Sequence, residues 1–150
     1  MINSLVNLSD DIAPDELESI IKLLGEMRLP TADIAAIDWR SAWGVMVEDR
    51  LIGFGGIERC GDVGLLRSIV IEAGFQRQGL ARALVTQLHQ DANEQGVTEL
   101  YLLTTDAATY FSKRFGYQAF DRGDAPESII RSSQFSALCP DTATLMRFVL

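Results

Sequence analysis

Between Val63 and Ala81 the chain changes its patterning twice, and few folds accommodate that change. Val63 to Ile71 reads as a buried strand, dominated by Leu65, Leu66, Ile69, Val70 and Ile71. Glu72-Ala73-Gly74 bounds it. Gln76-Arg77-Gln78-Gly79-Leu80-Ala81 then leads into a helix from about Gly79 to Gln95, with Leu80, Leu84, Leu88 and Ala92 as its buried stripe. The first backbone N–H groups of such a helix have no intrahelical partner. Together with the helix dipole they form a site for an anion. Gly79 and Ala81 carry so little side chain that a phosphate can reach the backbone, and Arg77 adds a fixed positive charge.

The elements around this unit follow from periodicity and punctuation. Asp11-Ile12-Ala13-Pro14 opens a helix, with Pro14 in its first turn and Leu17, Ile20, Ile21 and Leu24 at helical spacing. Leu29-Pro30 stops it near Arg28, and Thr31 caps a short second helix ending before Trp39. Ala42 to Glu48 and Leu51 to Arg59 form a hairpin. Gly53, Gly55 and Gly56 inside its second strand mark a bulge or a close backbone approach. Leu100 to Thr104 is a short buried strand, Ala107 to Arg114 a helix ended by Gly116, and Tyr117 to Phe120 a strand. Pro126 to about Ser132 is one more helix, and Thr144 to Val149 a closing strand. The order predicts a mixed α/β domain around one sheet, a single domain over 1–150.

Charge narrows the function. Lys and Arg number 13 against 21 Asp and Glu, a formal net charge of -8. Such a surface repels a phosphate backbone and an anionic membrane, so neither nucleic acid nor a lipid surface is an expected partner. Two cysteines, Cys60 and Cys139, and the one histidine, His89, give neither a disulfide framework nor a metal centre. The start of the chain lacks a signal-type apolar run, so a cytoplasmic location is expected.

The phosphate cradle lacks the Lys-Ser/Thr ending of a P-loop and the three spaced glycines of a dinucleotide fingerprint. Gln76-x-x-Gly79-x-Ala81, with Ile69-Val70-Ile71 before it and Leu84 after it, is similar to the acyl-CoA signature of the GNAT acetyltransferase superfamily. Ala107 to Tyr117, with Phe111 and Gly116-Tyr117, resembles that family's second conserved helix. Leu65-Leu66-Arg67-Ser68, Tyr101 to Thr105, Asp124-Ala125-Pro126 and Leu138-Cys139-Pro140 look like the small members encoded with arsenic-resistance genes. Those are thought to acetylate amino-acid-like toxic compounds, so that resemblance implies a resistance role.

The superfamily resemblance implies a mostly antiparallel sheet whose two central parallel strands, Val63–Ile71 and Leu100–Thr104, splay around acetyl-CoA. The main chain of Ile69 and Ile71, flanking Val70, would bond the pantetheine arm, and amides from Arg77 through Gln78, Gly79 and Leu80 to Ala81 would hold the pyrophosphate. An amine would attack the thioester directly, which requires a base. Superfamily members are often homodimers.

Glu58, at the end of the glycine-rich strand, is either that base or a solvated strand-end carboxylate. Ser112 stands where the family's leaving-group tyrosine usually stands. It donates through water, or the CoA thiolate leaves unassisted. Tyr110, about 200° round the helix, does not substitute for it. Arg67, in mid-strand, is either a structural ion-pair partner or a clamp for an acceptor's carboxylate. His89 reads as a solvated surface group, Cys139 as a small buried residue, and Trp39, Trp43 and Phe54 as core and pocket wall. Three functions fit: acetyl transfer to a small-molecule primary amine, acetyl transfer to protein amines, and a CoA-binding sensor without catalysis.

Overall fold

The computed structural model describes residues 6–12, 16–29, 31–132, 135 and 142–150. The readings of Pro14, Pro30 and Cys139 lie outside these residues. The chain runs β1 (Val6–Ser9), α1 (Glu16–Glu26), β2 (Trp39–Val47), β3 (Arg50–Cys60), β4 (Val63–Ile71), α2 (Leu80–Glu94), β5 (Glu99–Thr104), α3 (Ala108–Phe115), β6 (Gln118–Ala119), α4 (Glu127–Ile130) and β7 (Thr144–Val149). The segment after Thr31 contributes one 3-10 turn, Ile34–Ala36, where a short helix was expected.

The strands form one sheet in the order β1-β2-β3-β4-β5-β7-β6. Every neighbouring pair is antiparallel except β4 and β5. β1 is absent from the expected order: four residues, VNLS, alternate too briefly to announce a strand, and pairing of Val6 with Val47 makes it one.

α2 covers one face. Its Leu80, Leu84, Val85, Leu88 and Ala92 are buried against Val45, Ile57, Leu66, Ile71, Leu100 and Leu102. Truncating a fully buried leucine such as Leu84 to alanine costs about 2–5 kcal/mol. The opposite face carries two smaller clusters. Under α1, Ile20, Leu23 and Leu24 meet Ile34, Phe54 and Val70. Beside α4, Ile129 meets Cys60, Leu65, Tyr101 and Leu145.

The glycines of β3 make room. A Cβ on Gly55 would come within 2.5 Å of Ile69 Cδ1 and 3.0 Å of Leu84 Cδ2, so α2 can lie against the strand only where no side chain intervenes. A Cβ on Gly56 would collide with the ring of Trp39.

One aromatic reading is extended and one, that of His89, is revised. Trp43 is pinned rather than merely packed: its Nε1 and the Ser41 hydroxyl each donate to Asp91 Oδ2 at 2.6 Å, tying α2 to β2. His89 is no solvated surface group. It stacks on Phe148 at 4.9 Å, meets Phe115 edge-on, and its Nε2 lies 2.8 Å from the Tyr117 hydroxyl. Burial lowers its pKa from 6.5 to about 4 and pushes the Tyr117 phenol up. The histidine ring therefore meets the Tyr117 hydroxyl in its neutral form.

Candidate active site

β4 and β5 pair in parallel only at Gly64 with Leu100 and Leu65 with Tyr101, although both strands run on to Ile71 and Thr104. Beyond Leu65 the two strands diverge, and the edge of β4 that faces β5 is left without a strand partner. Against β3, the same stretch carries a bulge. Phe54 pairs with Val70 and Gly56 with Arg67, so β4 spends two residues, Ser68 and Ile69, opposite Gly55. Ser68 takes the left-handed conformation at φ 60. The Glu72 N–H bonds the Ile52 carbonyl on β3 at 2.7 Å. Alternation then puts the Ile71 main chain on the open edge, where its carbonyl accepts the Gln76 side-chain amide at 3.0 Å.

A cleft of about 730 Å³ opens at this divergence. Ile69, Val70 and Ile71 form one wall, and Gln76, Arg77, Gly79, Leu80, Ala81 and Arg82 another. Asp106, Tyr110 and Arg114 stand on the third. Of the residues expected to contact the cofactor, Gln78 is the one that does not line it.

The entry to α2 is built for an anion. Gly79, at φ 79, precedes the helix, and the first helical bond runs from the Ala83 N–H to the Gly79 carbonyl at 3.0 Å. The N–H groups ahead of Ala83 therefore point outward without intrahelical partners. Arg77 is also left-handed at φ 64, so two such residues shape the approach and gather amides into a concavity. A Cβ on Gly79 meets nothing within 4 Å, so the space above these amides is open. Arg50 holds the loop from behind, pairing with Glu72 at 2.8 Å and lying over the Phe75 ring. In a chain of net charge -8, this cleft gathers Arg77, Arg82 and Arg114 against one acid, Asp106. The residues suit a molecule with a diphosphate and a long neutral arm, as coenzyme A has.

Sequence reasoning missed Arg82, Arg114 and Tyr110. Tyr110 and Arg114 lie one helical turn apart, a spacing that puts both on one face of α3. The expectation for Ser112 is corrected: it is exposed on α3 and does not line the cleft, whereas Tyr110 does. The two are about 200° apart, and the strand–helix geometry turns the Tyr110 side toward the divergence.

On the α1 face, Arg67 has a side chain that is 0% exposed. Its Nη1 donates to Asp33 Oδ2 at 2.7 Å and to Glu58 Oε1 at 3.0 Å, and its Nη2 donates to Asp33 Oδ1 at 2.8 Å. Arg67 thus stands in an ion pair with two carboxylates, the first of its two expected readings. A buried arginine needs compensating charge, and two carboxylates supply it. Glu58 stays at the solvent boundary with 16% of its side chain exposed, so it is neither freely solvated nor sealed. Next to this triad lies an apolar cavity of about 410 Å³, whose walls include Ile34, Trp39 and Phe54. Burial first, then the Glu58 charge, pushes the Cys60 thiol up to about 12, which leaves no thiolate for nucleophilic chemistry. Among the described residues, no cluster of His, Cys, Asp and Glu could hold a metal ion, and no helix is long and apolar enough to cross a membrane.

Comparison with known proteins agrees with this geometry. An uncharacterized N-acetyltransferase of Chlorobaculum tepidum is 32% identical over 66 residues, which take in 44% of this chain and 41% of that relative. A Mycobacterium tuberculosis protein solved in complex with CoA superposes with a TM-score of 0.78, at 18% identity, over 96% of this chain and 99% of that one. N-acetylglutamate synthase from Neisseria gonorrhoeae, complexed with coenzyme A and N-acetyl-glutamate, also gives 0.78, at 16% identity, over 99% of this chain and 36% of that one. At such identities the two structures share the fold. The family model described as acetyltransferase (GNAT) matches residues 10–117, and on that match the chain belongs to the GNAT acetyltransferase family.

Proposed function

We propose that this protein moves an acetyl group from acetyl-CoA to the primary amine of a small molecule, an amino-acid-like compound in particular, by direct attack of the amine on the thioester. One observation carries the reading: the β4–β5 divergence opens onto a bare helix N-terminus flanked by arginines. The open edge at Ile69 and Ile71 offers main-chain groups to a pantetheine arm. The amides from Arg77 to Ala81 would hold the pyrophosphate, with Arg77 and Arg82 adding charge. Acetyl-CoA supplies the activated carbonyl and a thiolate that leaves readily near neutral pH.

Glu58 is the base in this reading. Its Oε1 is held by Arg67, which fixes the carboxylate while Oε2 remains for water. A proton relayed through that water reaches a carboxylate already paired with a cation, so the amine is neutralised only when it sits close by. With Ser112 off the cleft, no side-chain acid is assigned, and the thiolate departs unprotonated.

The test combines binding and turnover. A ligand at 100 times its dissociation constant adds about 2.7 kcal/mol to stability. Acetyl-CoA should therefore raise the melting temperature of the wild type. Ala81→Glu, which keeps a helical residue but sets a carboxylate among the amides, should abolish that shift without lowering the melting temperature of the protein alone. Thiol release with a panel of amines should follow the same pattern. No melting shift at millimolar acetyl-CoA, or an unaltered shift in Ala81→Glu, would remove the cofactor from this cleft.

A further inference from the structure

Besides its diphosphate, coenzyme A carries a phosphate on the 3′ carbon of its ribose. The α2 entry accounts for the diphosphate only. The 3′-phosphate stands one sugar ring away and calls for a cation of its own. We infer that Arg114 binds it, and that the cleft thereby selects coenzyme A over the 3′-dephospho form. This subsite rests on the acetyl-CoA reading above.

Unpaired charge marks the place. Among the described residues, Arg50, Arg59, Arg67, Arg131 and Arg147 each pair with a carboxylate, and Arg40 and Arg122 donate to carbonyls. The arginines without such a partner are Arg28, Arg77, Arg82 and Arg114, and the last three line the cleft. In a chain of net charge -8 a carboxylate is close to most of the surface. Three exposed guanidinium groups left unpaired around one cleft therefore point to an anionic ligand with more than one charged group.

Their positions separate two tasks. Arg77 lies on the approach to α2 and Arg82 in its first turn, so both flank the open amides where a diphosphate sits. Arg114 stands on α3, with Tyr110 one turn before it lining the same cleft, so this face of α3 is turned to the ligand. A cation in the last turn of α3 also suits the helix dipole, but Lys113 supplies that charge without lining the cleft. Asp106, the acid of the same wall, forms no ion pair with Arg114, and the guanidinium fork remains open. A phosphate monoester carries about −1.5 to −2 charges near neutral pH and accepts two parallel N–H bonds from such a fork.

The experiment is calorimetric titration of coenzyme A and of 3′-dephospho-coenzyme A into the wild type, Arg114→Met and Arg82→Met. The wild type should bind coenzyme A about tenfold more tightly, the scale of a charge-assisted bond at an exposed site. That preference should shrink as salt is raised. Arg114→Met should weaken coenzyme A about tenfold, leave the dephospho form within about twofold, and so abolish the preference. Arg82→Met should weaken both ligands alike. The wild-type comparison needs no variant and stands whether or not a substitution disturbs the fold. Equal wild-type affinity for the two ligands refutes the subsite while leaving acetyl-CoA in the cleft. Equal weakening of both ligands by Arg114→Met assigns Arg114 to the diphosphate and overturns the inference. Binding of neither ligand to the wild type refutes the acetyl-CoA reading itself, and the subsite with it.

Discussion

His89 makes the stability of this fold pH-dependent, and the structure sets both the sign and the size. The ring is stacked on Phe148, and its Nε2 lies within hydrogen-bond distance of the Tyr117 hydroxyl, at 2.8 Å. Burial lowers its pKa from 6.5 to about 4. In the unfolded chain the ring recovers its ordinary value, so between these two pH values the unfolded state binds the extra proton. The contribution is complete above about pH 6.5, declines as pH falls, and is gone below about pH 4. At 1.36 kcal/mol per unit, the whole interval corresponds to at most about 3 kcal/mol. The ring is only partly buried, so solvent screening brings the expected loss to about 1–2 kcal/mol.

Urea unfolding at pH 7.5 and pH 4.5 measures it, in the wild type and in His89→Gln. Glutamine keeps an oxygen for the Tyr117 hydroxyl and does not titrate. The carboxylates titrate alike in both proteins, so the difference between them isolates the imidazole. The wild type should lose about 1–2 kcal/mol more than the variant on acidification. An equal loss in both would refute the reasoning, because it would mean that the ring charges in place.

Three further substitutions probe the chemistry. Glu58→Gln keeps an acceptor for Arg67 but removes the proposed base. Turnover should fall about 10²–10⁴-fold with acetyl-CoA affinity unchanged, and the loss should shrink as pH rises because more amine is already neutral; an equal loss at every pH assigns Glu58 to positioning. Ser112→Ala should leave the rate and both KM values unaltered, while Tyr110→Phe should weaken acetyl-CoA with kcat within about threefold, as a thiolate that leaves unassisted requires. A hundredfold fall in kcat for Tyr110→Phe would make Tyr110 the acid.

The sequence announced what periodicity and punctuation can announce. β4 and β7 have the bounds that were expected, because apolar runs flanked by turn residues leave one reading. The helix entry was legible for a different reason: Gly79 and Ala81 leave a helix start bare of side chains, and Gln76, Gly79 and Ala81 together resemble the family's acyl-CoA signature. Long-range partners were not legible. Nothing local to Arg67 names Asp33, 34 positions upstream, and nothing local to His89 names Phe148. The arginines of the cleft escaped for the same reason, since Arg82 and Arg114 meet only when α2 and α3 flank one divergence.

The glycines of β3 marked an irregularity, but nothing local to Ser68 placed the extra residue on β4, where it sets which faces Arg67 and Ile69 take. An unbroken strand alternates its faces, so Arg67, Ile69 and Ile71 would share one side and Leu66, Ser68 and Val70 the other. In the fold, Leu66, Ile69 and Ile71 all pack toward α2, while Leu65 and Val70 join the clusters of the opposite face. The extra residue absorbs the change of phase, at the cost of a non-glycine residue at φ 60. Without it, a guanidinium on the side of Leu65 would force Val70 onto the α2 side and draw Phe54's partner out of the α1 cluster. The bulge therefore lets one strand do two things at once. Upstream, it directs Arg67 to Asp33 and Glu58 on the α1 face; downstream, it keeps Ile69 and Ile71 packed on α2 with their main chain at the edge of the cleft. A strained serine beside a glycine with no room for a side chain is the local form of that requirement.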